Sequence, residues 1–114
     1  MAERIIIHPD CRAELEALAQ RSRRDANALE HVREKLAVLG SSLGYPHSSA
    51  IRGTGGGLRE LRPKAGRCPW RLVYRPGRPF VILALAPEAV RDPRGFRRAL
   101  DAAHDRLDRW DGTR

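Results

Sequence analysis

The stretch Phe80–Ala86 is apolar at every position, with a Pro-Gly-Arg-Pro turn before it and Pro87 after it. A short run bounded by turn signals reads as a strand, and a strand apolar on both faces belongs at a central position in a sheet. The other elements of the chain are read around it.

Arg4–Ile7 reads as a short first strand whose consecutive β-branched residues suggest burial on both faces. Pro9 suits the first turn of a helix, and Cys11, Leu15, Leu18 and Ala19 recur at helical spacing through about Arg21. After the break at Ser22-Arg23-Arg24, Asp25 is the expected N-cap of a second helix, with Leu29, Val32, Leu36 and Leu39 on one stripe and Gly40 as its stop. The two helices form a hairpin that buries one apolar stripe from each. Ser41 to Gly57, rich in Gly, Ser and Pro, is expected to be one long connection. Strands follow at Leu58–Pro63 and Trp70–Arg75, separated by a turn around Ala65-Gly66. Asp92-Pro93 starts a last helix whose face is Phe96, Leu100, Ala103, Leu107 and Trp110. The predicted order is β-α-α-β-β-β-α, an α+β fold in one domain spanning residues 1–114.

Several function classes are excluded or disfavoured by composition. No apolar run approaches the roughly 20 residues of a membrane span. Ile5-Ile6-Ile7 before His8-Pro9 is too short for a signal peptide, so the expected location is the cytoplasm. Cys11 and Cys68, in different predicted elements, are expected to be reduced thiols, and the four scattered His show no metal-ligand spacing. No metal or other cofactor is expected.

Charge is distributed unevenly. Arg52, Arg59, Arg62, Lys64, Arg67, Arg71, Arg75 and Arg78 face a single acid, Glu60, whereas the other 87 residues carry 14 basic and 13 acidic side chains. Concentrated Arg and Lys most often meet a phosphate backbone. Strand alternation puts Trp70, Leu72 and Tyr74 on a packed face and Arg71, Val73 and Arg75 on an outward one. If the two basic strands pair, Arg62, Lys64, Arg71 and also Arg75 can meet on one concave surface. Such a cluster binds phosphates and stabilises charge in phosphoryl chemistry, and a Lys crowded by arginines is a better proton acceptor. The plain alternative is a solvated basic face.

Other candidates carry less chemistry. Gly53-Thr54-Gly55-Gly56-Gly57 lacks the Lys and Ser/Thr of a phosphate loop and precedes a strand, so an RNA-contacting loop is the better reading. His47 reads as an exposed loop residue, His104 as a boundary residue of the last helix, and Glu60 as the partner of a neighbouring Arg. Tyr74 is expected in the core with its hydroxyl reaching an edge.

Gly57-Leu58-Arg59-Glu60-Leu61-Arg62 followed by Trp70-Arg71-Leu72-Val73-Tyr74 resembles the RelE/HigB toxin superfamily, in particular its phage-derived HigB-like branch. The helical hairpin, Leu43-Gly44-Tyr45-Pro46, the apolar strand and the last helix extend the resemblance over almost the whole chain. It implies a RelE-like fold with a four-stranded, mostly antiparallel twisted sheet packed on the hairpin. It further implies the toxin of a type II toxin–antitoxin pair, with a helix-turn-helix antitoxin as partner. The implied activity is metal-independent endoribonuclease cleavage of mRNA on the ribosome, by 2′-hydroxyl attack that leaves a 2′,3′-cyclic phosphate. Carried over by position, Arg62 and Arg71 bind the scissile phosphate and Lys64 transfers a proton or stabilises charge. Arg59, Arg67, Arg75 and Arg91 contact RNA.

The chain departs from the branch after its last strand. Ala86-Pro87-Glu88-Ala89-Val90-Arg91 holds an acid where the branch has an aromatic and paired lysines, leaving Arg91 or Arg94 as substitute cations, while Phe96 has no hydroxyl. Two non-enzymatic readings stand beside the first: a RelE-fold binding protein such as a ParE-like gyrase inhibitor, or a general basic RNA-binding module.

Overall fold

Different helices cover the two faces of the all-apolar strand. The computed structural model describes residues 2–54, 57–63 and 68–112. Along them run β1 (Ile5–Ile7), α1 (Pro9–Arg21), α2 (Arg23–Leu39), a 3-10 turn at Gly40–Ser42, β2 (Ser48–Ala50), β3 (Arg59–Leu61), β4 (Trp70–Arg75), β5 (Phe80–Pro87) and α3 (Pro93–Gly112). The sheet has the order β1-β5-β4-β3-β2, with β1 parallel to β5 and every other pair antiparallel. The α+β class is as expected, and β5 lies between two neighbours. The four-stranded sheet implied by the resemblance is corrected to a five-stranded mixed sheet.

The additional strand, β2, lies within the segment expected to be an irregular connection. Ser48-Ser49-Ala50 has no apolar alternation to reveal it; pairing with β3 and one buried polar contact make it a strand. Ser48 is buried, its Oγ lies 2.6 Å from the Tyr74 hydroxyl, and it accepts from Arg59 Nε at 2.9 Å. Tyr74 is therefore core with its hydroxyl at an edge, as its position predicts.

On one side of the sheet, Leu61, Leu72, Tyr74, Phe80 and Ile82 pack with Cys11, Leu18, Leu29, Val32 and Leu36 of the helical hairpin. On the other, Leu58, Val73, Val81, Leu83, Ala84 and Ala86 pack with Ala103 and Leu107 of α3, flanked by Phe96, Leu100 and Trp110. The face of β4 expected to point outward is thus roofed by α3. A β-bulge shifts the alternation partway along β5. Val73 pairs with Ala84 and Tyr74 with Ile82, so Leu83 is an extra residue, and Leu83 and Ala84 both face α3.

Helix ends follow local chemistry, with one shift. Ser22, not Asp25, caps α2: its Oγ accepts the Asp25 N–H at 3.2 Å, which places the Asp25 acid in the first turn, where it favours the helix dipole. Leu39, the last position of the expected stripe, is exposed because α2 ends there at Gly40, whose φ of 53° suits glycine. Asp92 caps α3 as predicted, accepting the Gly95 N–H at 2.8 Å, and a Cβ on Gly95 would strike the Asp92 carboxylate and the Pro87 ring. His104 sits half-buried beside Ala103.

β1 is a short, half-buried edge and pairs with β5 only as far as Ile82. Beyond it the open edge of β5 is closed by side chains. Arg106 of α3 donates to Leu83 C=O at 2.7 Å, and the Leu85 N–H donates to Glu14 of α1 at 3.1 Å. Arg106 and Glu14 bind each other through two hydrogen bonds of 2.9 Å, which raise the Arg106 pKa against the opposing effect of burial. This ion pair ties the helices of the two faces together around the sheet edge. Glu14→Ala or Arg106→Ala is expected to destabilise by about 2 kcal/mol each, and the double variant by clearly less than the sum. Urea denaturation of all four forms checks this, and strict additivity would show that the pair is uncoupled.

Cys11 and Cys68 are unpaired and buried. Burial, assisted by the Glu14 carboxylate, pushes the Cys11 thiol from 9.0 up to about 12. The folded state therefore holds the Cys11 proton while the unfolded chain releases it, so stability is lost as pH rises from 9.0 towards about 12. Unfolding free energies measured across alkaline pH should fall less steeply for Cys11→Ala than for the parent.

Candidate nucleic-acid interface

β3 and β4 pair with Glu60 opposite Val73, which sets Glu60 on the α3 side of the sheet with Arg71. Where the strands end, before the loop that leads to α3, Glu60, Arg62, Arg71, Glu88, Ala89 and Val90 line an open cleft of about 250 Å³. The sequence-based pairing of Arg62 with Arg71 is thus realised in space.

The two guanidinium groups have different environments. Arg71 is 6% exposed. Its Nη1 donates to the carbonyls of Cys68 and Trp70 at 2.9 Å each, and its Nη2 donates to Glu88 at 2.8 Å. Expected to point outward, Arg71 is instead drawn in, because α3 covers this face and an ionised group there needs both hydrogen bonds and a counter-charge. It pins the start of β4 to the loop after β5, where Glu88 N–H also donates to Pro69 C=O at 3.0 Å.

Arg62 is more open. Its Nη2 donates to Glu60 at 2.9 Å, the pairing expected for that acid. Its guanidinium carbon lies 5.9 Å from the ring centroid of Tyr45, a residue 80% exposed. Its backbone N–H donates to His47 C=O at 2.7 Å, which seats half-buried His47 beside it. Arg91, 70% exposed along its side chain, approaches Glu88 at 3.7 Å and stands at the rim of the cleft.

Two further candidates, Arg59 and Arg75, are not among the residues that line the cleft. Arg59 sits on the helical-hairpin side with Ser48 and Tyr74. Arg75 shares the face of Arg71 four positions further along β4, about 13 Å away, and does not line the cleft. Lys64, Arg67 and the Gly55-Gly56 centre of the glycine-rich loop lie outside the described residues. Among the described residues no His, Cys, Asp and Glu grouping suited to a metal ion occurs, and no helix is long and apolar enough to cross a membrane.

Two participants escaped the sequence reading. Glu88 contacts both Arg71 and Arg91 and is, with Glu60, one of two acids that line the cleft; its signal was an acid in a segment expected to be cationic. Tyr45 supplies an aromatic surface beside Arg62, signalled by an aromatic in a Gly-, Ser- and Pro-rich stretch. Chemically, the arrangement offers guanidinium donors and a ring to a planar anion or a phosphodiester. No protein-family model and no curated protein matches the chain.

Arg71→Ala would orphan two carbonyls and one carboxylate and should cost about 3 kcal/mol. Arg62→Ala, at a pair whose cation is about a third exposed, should cost less, about 1–2 kcal/mol. Denaturation midpoints of the two variants check the ranking, and an equal loss for both would contradict the structural role of Arg71.

Proposed function

We propose that this chain is the RNA-directed toxin of a type II toxin–antitoxin pair, a metal-independent endoribonuclease that cuts mRNA on the ribosome in the cytoplasm. The observation that carries the reading is the convergence of Arg62 and Arg71, from neighbouring strands, on one open cleft. The RelE/HigB resemblance of the same two strand segments supplies the reaction class. In that reaction the RNA 2′-oxygen attacks the adjacent phosphorus and the P–O5′ bond breaks. The 2′-hydroxyl proton passes to a base, a proton reaches the departing 5′-oxygen, and a 2′,3′-cyclic phosphate remains. Chemistry of this kind needs cations at the phosphate and groups that move protons.

In this reading Arg62 holds the scissile phosphate and Arg91 a flanking one. Tyr45 stacks on a base, and Lys64, assigned from its sequence position, moves the proton. Arg71 is a positioning residue: its bonds to Cys68, Trp70 and Glu88 hold the cleft wall in place. A small helix-turn-helix antitoxin is the proposed partner.

Induced expression in bacteria tests the proposal. Growth arrest with cleaved mRNA is expected from the parent chain, relieved by a cognate antitoxin and by Arg62→Ala, which keeps the fold. Undiminished growth with intact mRNA overturns it. Replication arrest and DNA damage with intact mRNA would select gyrase inhibition instead.

A further inference from the structure

We propose that Glu60 and Glu88 are built-in anion placeholders, carboxylates that hold Arg62 and Arg91 until RNA phosphates take their place, while Arg71 keeps its structural contacts. The inference rests on the RNA-directed reading above and adds how the same site is controlled. Three guanidiniums meet two carboxylates there: Arg62 with Glu60 at 2.9 Å, Arg71 with Glu88 at 2.8 Å, and Arg91 with Glu88 at 3.7 Å. A carboxylate and a phosphodiester present the same pair of acceptor oxygens to a guanidinium fork. A phosphate oxygen can take the place of the carboxylate oxygen at Arg62 and at Arg91, and the buried Arg62 Nε has no hydrogen-bond partner among the described residues.

The exchange is uneven. Water reaches the Arg62–Glu60 pair from the Arg62 side, which is 32% exposed, and compensates part of its separation. Arg71 is nearly enclosed and commits only Nη2 to Glu88, its Nη1 being held by backbone carbonyls. Glu88 stays on Arg71, and exposed Arg91 leaves it for a flanking phosphate. RNA must displace these carboxylates, so a single anion competes poorly and a strand presenting consecutive phosphates competes well. The acid where the resemblance leads one to expect cations becomes a device that sets affinity.

Fluorescence anisotropy with a 2′-O-methylated oligoribonucleotide, which lacks the attacking hydroxyl, measures binding without cleavage. Glu60→Gln and Glu88→Gln should each tighten binding about two- to fivefold, the range for removing one competing, partly screened ion pair. The double variant should also lose affinity more steeply with salt. Arg62→Ala added to the double variant should cancel the Glu60 share of the gain. Glu34→Gln, at an exposed position of α2 across the sheet from the cleft, removes the same charge and should change affinity far less.

If cleft and control variants behave alike while the parent binds RNA, the placeholders are overturned and the RNA reading stands. If neither the parent nor any cleft variant binds, both fall. Glu88→Gln leaves Arg71 without a counter-charge, so if it melts early, Glu60→Gln by itself decides the matter.

Discussion

The ion pair between Arg106 and Glu14 resolves a difficulty created by the apolar strand. β5 is covered on both faces, yet β1 pairs with only three of its residues. The edge beyond Ile82 would otherwise leave backbone groups unpaired, each costing about 1–3 kcal/mol when buried. Arg106 and Glu14 satisfy Leu83 C=O and Leu85 N–H and bind each other in the same act. Because one comes from α3 and the other from α1, they also hold together the two helical layers. An edge closed by charged side chains offers no template for pairing with another strand. α3 is thus held to the sheet by its apolar face and tied to α1 by this pair.

A second buried cation is handled in the same manner. Arg71 lies on the face that α3 roofs, and it is tolerated because two carbonyls and one carboxylate complete its hydrogen bonding. Of the cluster that looks strongly basic along the chain, Arg62 and Arg71 each meet a carboxylate. Arg62, and with it Arg91, retains the exposure that recognition of a polyanion needs. Under the proposed RNA-directed reading, affinity in this cleft is a contest between internal carboxylates and incoming phosphates, set by local pairing and not by total charge.

The local elements were legible because their signals are local. The bounds of α1 and β4, the Asp92-Pro93 start of α3 and its five-residue apolar face all follow from periodicity and capping. β2 was not legible: Ser48-Ser49-Ala50 carries no strand pattern and depends on β3, Tyr74 and Arg59, residues far along the chain. Asp25 and Ser22 are both good caps, and only the backbone geometry chose Ser22. Within the candidate site, alternation correctly grouped Arg71 and Val73. It could not reveal that α3 lies over them, nor that Glu88, distant in sequence, would meet Arg71.

The sequence by itself determined the α+β class, the interior place of Phe80–Ala86 and the bringing together of Arg62 and Arg71, since burial and period-two alternation are properties of neighbouring residues. Only the tertiary structure decided the fifth strand, the roofing of the basic face and the pairing of each cleft guanidinium with a carboxylate. Those outcomes depend on which distant groups share a low-dielectric space, where an ionised side chain must find a partner, and chain order does not encode that distance directly.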